Sequence, residues 1–285
     1  MGFPRFAKVI KAALNAVIGI VLVLLVSLFY ANKIEPNWID VVSVRLTLPH
    51  LAPEFQGYRI VQISDIHVDS WMSQQRLKKI VARVNQQQPD LVAITGDFVT
   101  YTPKDFVRRM TATFSQLKPQ DLTVAVLGNH DHWTDAKVIR RVLNQSGVVD
   151  ISNAVRTIRR KDAVLHIAGV DDFWVRKDRL DLVLKQLHGK DSDILLAHEP
   201  DFAEISSATG RFDLQLSGHS HGGQISIPFL GPPKLPPYGQ KYPVGLYQIG
   251  EMLQYTNRGV GMVKPRVRFN CRPEITVFTL ETVKS

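Results

Sequence analysis

The spacing of apolar and polar residues changes several times along the chain, and each change marks an element. Residues 12–31 form an unbroken apolar run, with no ionisable group except the Tyr30 phenol. Residues 41–48 alternate at period two, as a half-buried strand does, until Pro49 and Pro53 end the pattern. Beyond Gly57, short apolar runs take turns with helical spacing. Residues 59–64, 90–95 and 122–127 read as buried strands. Residues 74–86 carry Leu77, Ile80, Val81 and Val84 on one face and predict a helix, as do 106–117 and 136–143. After residue 150 strands crowd together, at 151–158, 164–170, 194–197, 213–217, 224–227, 246–249, 252–256, 267–270 and 275–280. Helices are predicted at 177–187 and 202–207. The layered solution for this inventory is an α/β fold, a two-sheet β-sandwich flanked by helices. Residues 229–242 contain Pro232, Pro233, Pro236 and Pro237 and predict a long stiff loop.

The first run stands apart from the rest. About 20 helical residues span a hydrocarbon core of roughly 30 Å, and this run keeps no polar stripe for a soluble core. It predicts an N-terminal transmembrane helix and a single-pass cell-membrane protein. A cleaved signal peptide is the rival reading, but the exit Phe29-Tyr30-Ala31 lacks the small residue wanted two positions before the cut. Arg5, Lys8 and Lys11 precede the run, whereas Lys33 and Arg45 follow it among Glu35 and Asp40. That bias puts the N-terminus in the cytoplasm and the main body on the exoplasmic side. The net charge of +9 favours anionic partners such as phosphate groups or acidic lipid. Its basic residues are dispersed and not interleaved with aromatics, so no nucleic-acid partner is expected. One cysteine, Cys271, excludes an intrachain disulfide framework and a cysteine-rich zinc site. No feature speaks to oligomeric state.

Candidate chemistry gathers where the strands run out. The segments are Ser64-Asp65-Ile66-His67, Gly96-Asp97, Gly128-Asn129-His130-Asp131, Ala197-His198-Glu199 and Gly218-His219-Ser220-His221-Gly222. The C-terminal edge of a sheet is where open α/β folds place ligands. A lone histidine there is ordinarily a cap or a packing residue, yet five of the chain's nine histidines fall in these junctions. Asp, Asn and His without thiolate make an oxygen–nitrogen shell suited to manganese, iron or zinc. There are more ligands than one tetrahedral ion needs, which favours a two-ion site.

In this order the five segments resemble the signature of calcineurin-like metallophosphoesterases, over roughly residues 58–280. The Gly-His-Ser-His-Gly-Gly-Gln form, with Arg266-x-Arg-Phe-Asn-Cys-Arg-Pro-Glu-Ile, is similar to a membrane-associated bacterial subgroup that includes UDP-2,3-diacylglucosamine-cleaving enzymes. The resemblance implies a four-layer α/β/β/α domain over 58–285, behind an anchor at 1–32 and a tether with a leading strand at 33–57. It also implies that Asp65, His67 and His221 hold one metal and Asn129, His198 and His219 a second, with Asp97 bridging. His130 would face the phosphoryl oxygens as a catalytic residue, oriented by Asp131. Two divalent ions are implied, manganese first and iron or zinc as alternatives. The water between them would be acidified towards about pKa 7 to give the attacking hydroxide.

The expected function is a membrane-anchored phosphoesterase acting on a phosphodiester or pyrophosphate. A lipid-linked sugar nucleotide would fit the anchor, the charge and the proline-rich loop. The exoplasmic orientation disagrees, because such precursors are made on the cytoplasmic face. A phosphodiesterase or phosphomonoesterase for a soluble substrate is the alternative, and a non-catalytic scaffold binding anionic lipid a more distant one. Arg258 stands between a substrate phosphate and a structural ion pair. His132 and Trp133 stand between pocket wall and surface, Asp69 between a support for the ligands and a solvated loop acid. His166 reads as a satisfied core residue.

Overall fold

A computed structural model describes residues 3–100 and 106–283. Two six-stranded mixed sheets pack face to face. The first contains β1 (Asp40–Leu48), β2 (Arg59–Ile63), β3 (Leu91–Thr95), β4 (Leu122–Val126), β5 (Val148–Asp150) and β12 (Glu274–Thr282), in the order β1-β12-β2-β3-β4-β5. The second contains β6 (Ala154–Arg160), β7 (Ala163–Gly169), β8 (Ser192–Leu196), β9 (Leu214–Ser217), β10 (Gly245–Ile249) and β11 (Met252–Thr256), in the order β10-β11-β9-β8-β7-β6. Within them β2 to β5 run parallel, as do β7, β8, β9 and β11. The C-terminal ends of these parallel strands therefore share one edge of the sandwich.

The central strands β2, β3 and β8 are buried along almost their whole length because both faces of the sheets are covered there, whereas the edge strands β1, β6 and β10 are partly exposed. Helices α2 (Gln74–Gln86), α3 (Phe106–Phe114) and α5 (Ala136–Gln145) lie on the first sheet. Leu77, Ile80, Phe114 and Ile139 pack there against Val61, Ile63, Val92 and Ile94. Ser73 caps α2 by accepting from Arg76 N, and Asp135 caps α5 by accepting from Val138 N. Between the sheets Ile60, Ala93, Val124 and Val126 meet Ile167, Ile194, Leu196 and Leu214. Behind the second sheet Ala168, Leu195 and Ala197 pack with Val183 of α6 (Leu180–Leu184) and with Phe202 and Ala203, where α7 (Ala203–Ser207) begins.

The N-terminal α1 (Phe3–Phe29) is long and apolar enough to cross a membrane and lies outside the sandwich. It passes through two short helical turns straight into β1, which pairs with β12 along all nine of its residues. Ala31 O accepts from Arg268 N at 2.9 Å, and the buried Glu35 carboxylate accepts from the amides of Asn270 and Cys271. The chain division expected near residue 57 thus falls inside the first sheet, beyond its edge strand.

Several predicted elements differ. Residues 151–158 do not make one strand: Ala154 N bonds Ile151 O, and Asn153 turns the chain at φ 60°, separating β5 from β6. Residues 224–227 and 267–270 meet in only one bridge, Ile225–Phe269, and Ile227 turns back to bridge Gly231, since left-handed Gln224 and Asn270 and the neighbouring Pro228 and Pro265 prevent extension. The helix at 177–187 shrinks to α6, because Asn153 engages Lys177 O and Arg179 N from outside.

Candidate metal centre

Each junction singled out in the sequence reaches the same edge. Asp65 and His67 follow β2, Asp97 follows β3, and Asn129 opens the short helix α4 (Asn129–Thr134) after β4. His198 follows β8, and His219 and His221 follow β9. Two hydrogen bonds cross between the sheets here: Gln62 donates to Ser217 O at 2.9 Å, and His198 Nδ1 to Thr95 O at 2.7 Å. Asp65, His67 and His221 converge as one group, and Asp97, His198 and His219 as another. Asp97 Oδ2 lies 3.5 Å from His67 Nε2 and 3.3 Å from His198 Nε2, so one carboxylate oxygen faces both groups. In the first group His67 Nε2 and His221 Nε2 are 3.1 Å apart, and His221 Nε2 is 3.2 Å from Asp65 Oδ1.

Backbone geometry sets this spot apart. Asp65, His67, Asp97, His219 and His221 all have positive φ, between 50° and 68°. Non-glycine residues adopt this region uncommonly, and such strain collects where a site must be held in one shape. Approach is also close. A Cβ on Gly218 would lie 1.9 Å from Ser64 Oγ and 2.3 Å from Asp65 Oδ2, so only hydrogen fits.

The donor set fits cations. His198 gives its Nδ1 proton to Thr95 O, and His219 gives its Nε2 proton to Pro237 O at 2.8 Å. A carbonyl only accepts, so the tautomers of the neutral rings are fixed. Their other nitrogens, His198 Nε2 and His219 Nδ1, face one another 3.2 Å apart, where either a proton on His198 or a cation joins them. A positive centre satisfies that arrangement. The Oδ1 of buried Asn129 has no hydrogen-bond partner among the described residues, as suits a ligand oxygen.

Electrostatics point the same way. Burial opposes ionisation of Asp65 and Asp97, yet His221 beside the first and His198 beside the second hold both below the usual carboxylate range. Burial drives the His67 pKa down to about 3 and lowers that of His219. His198 goes the other way: burial lowers it, but Asp97 and Asp65 outweigh burial and raise it well above an ordinary imidazole. The buried carboxylates thus call for compensating charge.

His130 donates its backbone N–H to Asp97 Oδ1 at 3.0 Å, and its ring stands edge-on to His67 at 4.9 Å. With His67 and Asp97 it forms a third convergent group, so the ring lies within ligand reach of the cluster. Asp131 does not orient that ring as expected. Its Oδ1 accepts from the amides of Phe98 and Val99 and its Oδ2 from Gly128 N, because the tight α4 turn aims the carboxylate back under the β3 and β4 loops. Burial and the Asp97 charge push its pKa up to about 8.

Arg258 is a structural ion pair, with Glu274 and, at 3.4 Å, Asp40. Asp69 is buried, caps the turn at Trp71 and Met72, and pairs with Arg266 at 2.7 Å. His132 turns away to Asp171, at 2.7 Å, whereas Trp133 lines the cleft. His166 bonds Thr157. Two supports escaped the sequence reading. Thr100 Oγ1 meets His67 Nδ1 at 2.9 Å. The fully buried Arg268 binds the carbonyls of Arg258, Gly259, Gly261 and Cys271, fixing the loop that covers Asp65.

These features make a candidate metal centre, and sequence comparison gives the class of protein: residues 58–223 match the calcineurin-like phosphoesterase family, to which the chain belongs. It is a metal-dependent hydrolase of phosphoric esters by that membership. The chain is 35% identical over 263 residues to the uncharacterized metallophosphoesterase YkuE of Bacillus subtilis, spanning 89% of each protein. It is 29% identical to the phosphodiesterase YaeI of Escherichia coli, over 88% of this chain and 92% of that one. It is 27% identical to the UDP-2,3-diacylglucosamine pyrophosphatase LpxG of Chlamydia trachomatis, over 86% and 90%.

Proposed function

We propose that the chain is a membrane-anchored phosphoesterase that uses two divalent cations to cleave a phosphodiester or pyrophosphate of an amphiphilic molecule. Two convergent groups of buried ligand atoms, with one Asp97 oxygen facing both, carry this reading. Asp65, His67 and His221 would hold one ion, Asn129, His198 and His219 the other, and Asp97 both. The oxygen–nitrogen donor set suits manganese, iron or zinc, and manganese is the first candidate. Bound there, the ions supply Lewis acidity and acidify water to hydroxide at neutral pH.

The remaining work belongs to the chain. Thr95 O, Thr100 and Pro237 O fix the imidazoles of His198, His67 and His219. Asp131 ties the β3 and β4 loops together so that Asp97 and Asn129 keep their spacing. His130, at the cleft wall, is placed to stabilise charge on the phosphoryl oxygens and to protonate the departing oxygen. The cleft has a volume of about 480 Å³, and Trp133, Trp174, Ile225, Leu235, Pro236 and Val263 give it apolar walls, with Lys234 and Lys264 among them. Such walls suit a substrate with an apolar part beside its phosphate. The name of the Chlamydia relative supports a lipid-linked substrate, and α1 supports a membrane location. Flanking charge favours the exoplasmic side.

Full-length protein in detergent should hydrolyse bis(4-nitrophenyl) phosphate with added manganese and stop on chelation. Asp97→Ala should abolish turnover and lower the content of both ions by elemental analysis. Turnover that survives exhaustive chelation overturns the reading, as does Asp97→Ala with two ions still bound.

A further inference from the structure

Outside α1, the two most exposed large apolar side chains among the described residues are neighbours, Phe229 at 108% and Leu230 at 81%. They sit at the tip of a built turn. Ile227 and Gly231 exchange both backbone hydrogen bonds, at 2.9 and 2.8 Å, and Leu230 N bonds Ile227 O at 3.0 Å. Pro228 precedes the tip and Pro232 and Pro233 follow it, while Phe229 is held at φ 68°. A single exposed apolar residue is ordinary; an adjacent pair on a stiffened, strained turn calls for a partner.

The root of the turn says which partner. Ser226 N bonds Phe269 O at 2.8 Å, and the Phe269 ring stands edge-on to Tyr30, the residue that follows α1. The strip holding Phe269 also clasps the foot of α1, through Arg268 N to Ala31 O and Asn32 to Arg266 O. Phe229 lies three residues beyond Ser226, a reach of about 10 Å. Lys33, next to Asn32 in the chain, and Lys234, three residues beyond Gly231, are both exposed, a residue type that favours an anionic headgroup layer. Both legs of the turn continue into the cleft, Gln224 and Ile225 on one side and Pro233 to Pro236 on the other.

We propose that residues 227–231 are a second membrane contact: Phe229 and Leu230 enter the apolar edge of the leaflet beside α1. The cleft then opens at the bilayer surface and takes its amphiphilic phosphoester from the lipid phase. This rests on the reading of α1 as a span and of the cleft as the hydrolytic centre, and the experiment separates the three.

Full-length Phe229→Cys and Asp162→Cys, labelled with an environment-sensitive fluorophore, are reconstituted in phosphatidylcholine–phosphatidylglycerol vesicles. The native Cys271 is buried, and Asp162 lies in the β6–β7 turn, at the strand ends opposite the cleft. The label at 229 should shift to the blue and be quenched by lipids spin-labelled along the acyl chain; the label at 162 should do neither. Phe229→Ser with Leu230→Ser should cut hydrolysis of a vesicle-embedded lipid phosphodiester about tenfold or more and leave bis(4-nitrophenyl) phosphate hydrolysis unchanged. A water-exposed label at 229, in protein that resists alkaline extraction from vesicles, overturns the inference. So does a label already shielded in detergent and unquenched by lipid, which would mean that protein covers the tip. Equal effects of the double variant on the two substrates also overturn it. Extraction of the protein by alkali refutes the anchor instead, and failure of the soluble assay refutes the hydrolase reading.

Discussion

Gly128→Ala offers the sharpest test of the metal centre, because it adds one methyl group where three fixed atoms already stand. The new Cβ would lie 2.4 Å from Asp97 Oδ1, 2.7 Å from Asp97 N and 2.8 Å from His198 Nε2. Unstrained heavy-atom contacts sit near ~3.5 Å, so the neighbours must retreat by about 1 Å. A backbone nitrogen cannot swing aside as a side chain does, so the β3 loop itself moves, and Asp97 and His198 move with respect to each other. Overpacking of this kind costs about 1–3 kcal/mol, and each kcal/mol lowers Tm by about 2–4 °C at this domain size. The chemical penalty is larger, since a misplacement of about 1 Å costs on the order of 10²-fold in rate. The expected variant is folded, melts a few degrees early, binds manganese more weakly and turns over about 10²-fold more slowly. Calorimetric metal titration, thermal melting and bis(4-nitrophenyl) phosphate turnover measure the three separately. Wild-type metal affinity and wild-type rate would refute the claim that Asp97 and His198 jointly set the ion positions.

Two further outcomes follow from the same geometry. His130→Ala should keep two ions per chain and lose about 10²–10⁴-fold in rate; loss of an ion on elemental analysis would put the ring among the ligands. Manganese affinity should rise as pH increases from 6 to 8. His198 has a raised pKa and gives its Nδ1 proton to Thr95 O, so the titrating proton sits on Nε2 and must leave for a cation to bind. Binding enthalpies that vary with the ionisation heat of the buffer would report that release, and a pH-independent affinity would exclude it.

The strand ends were legible in the sequence because a buried parallel strand is an apolar run, and its first polar residues necessarily lie at the sheet edge. That logic brought Asp65, His67, Asp97, Asn129, His198, His219 and His221 to one place without further information. It failed for Asp131, since adjacency in the chain says nothing about direction within a helical turn. It also failed to separate the two uses of Arg258, whose partner Glu274 lies 16 residues away and meets it only through the fold. Thr100 and Pro237 support their histidines through contacts that no local pattern encodes. The weak strands at 224–227 and 267–270 misled because left-handed backbone at Gln224 and Asn270 is not signalled by glycine.

The junction between α1 and β1 has a mechanical result. With Ala31, Asn32 and Glu35 each bonded to the 266–271 strip, there is no slack between the hydrophobic rod and the hydrolytic body. If α1 spans a membrane as proposed, such an enzyme would work at one altitude above its sheet of lipid, scanning in two dimensions and meeting only phosphates presented at that level. Discrimination among substrates would then begin with headgroup height, before any side chain in the cleft has made contact.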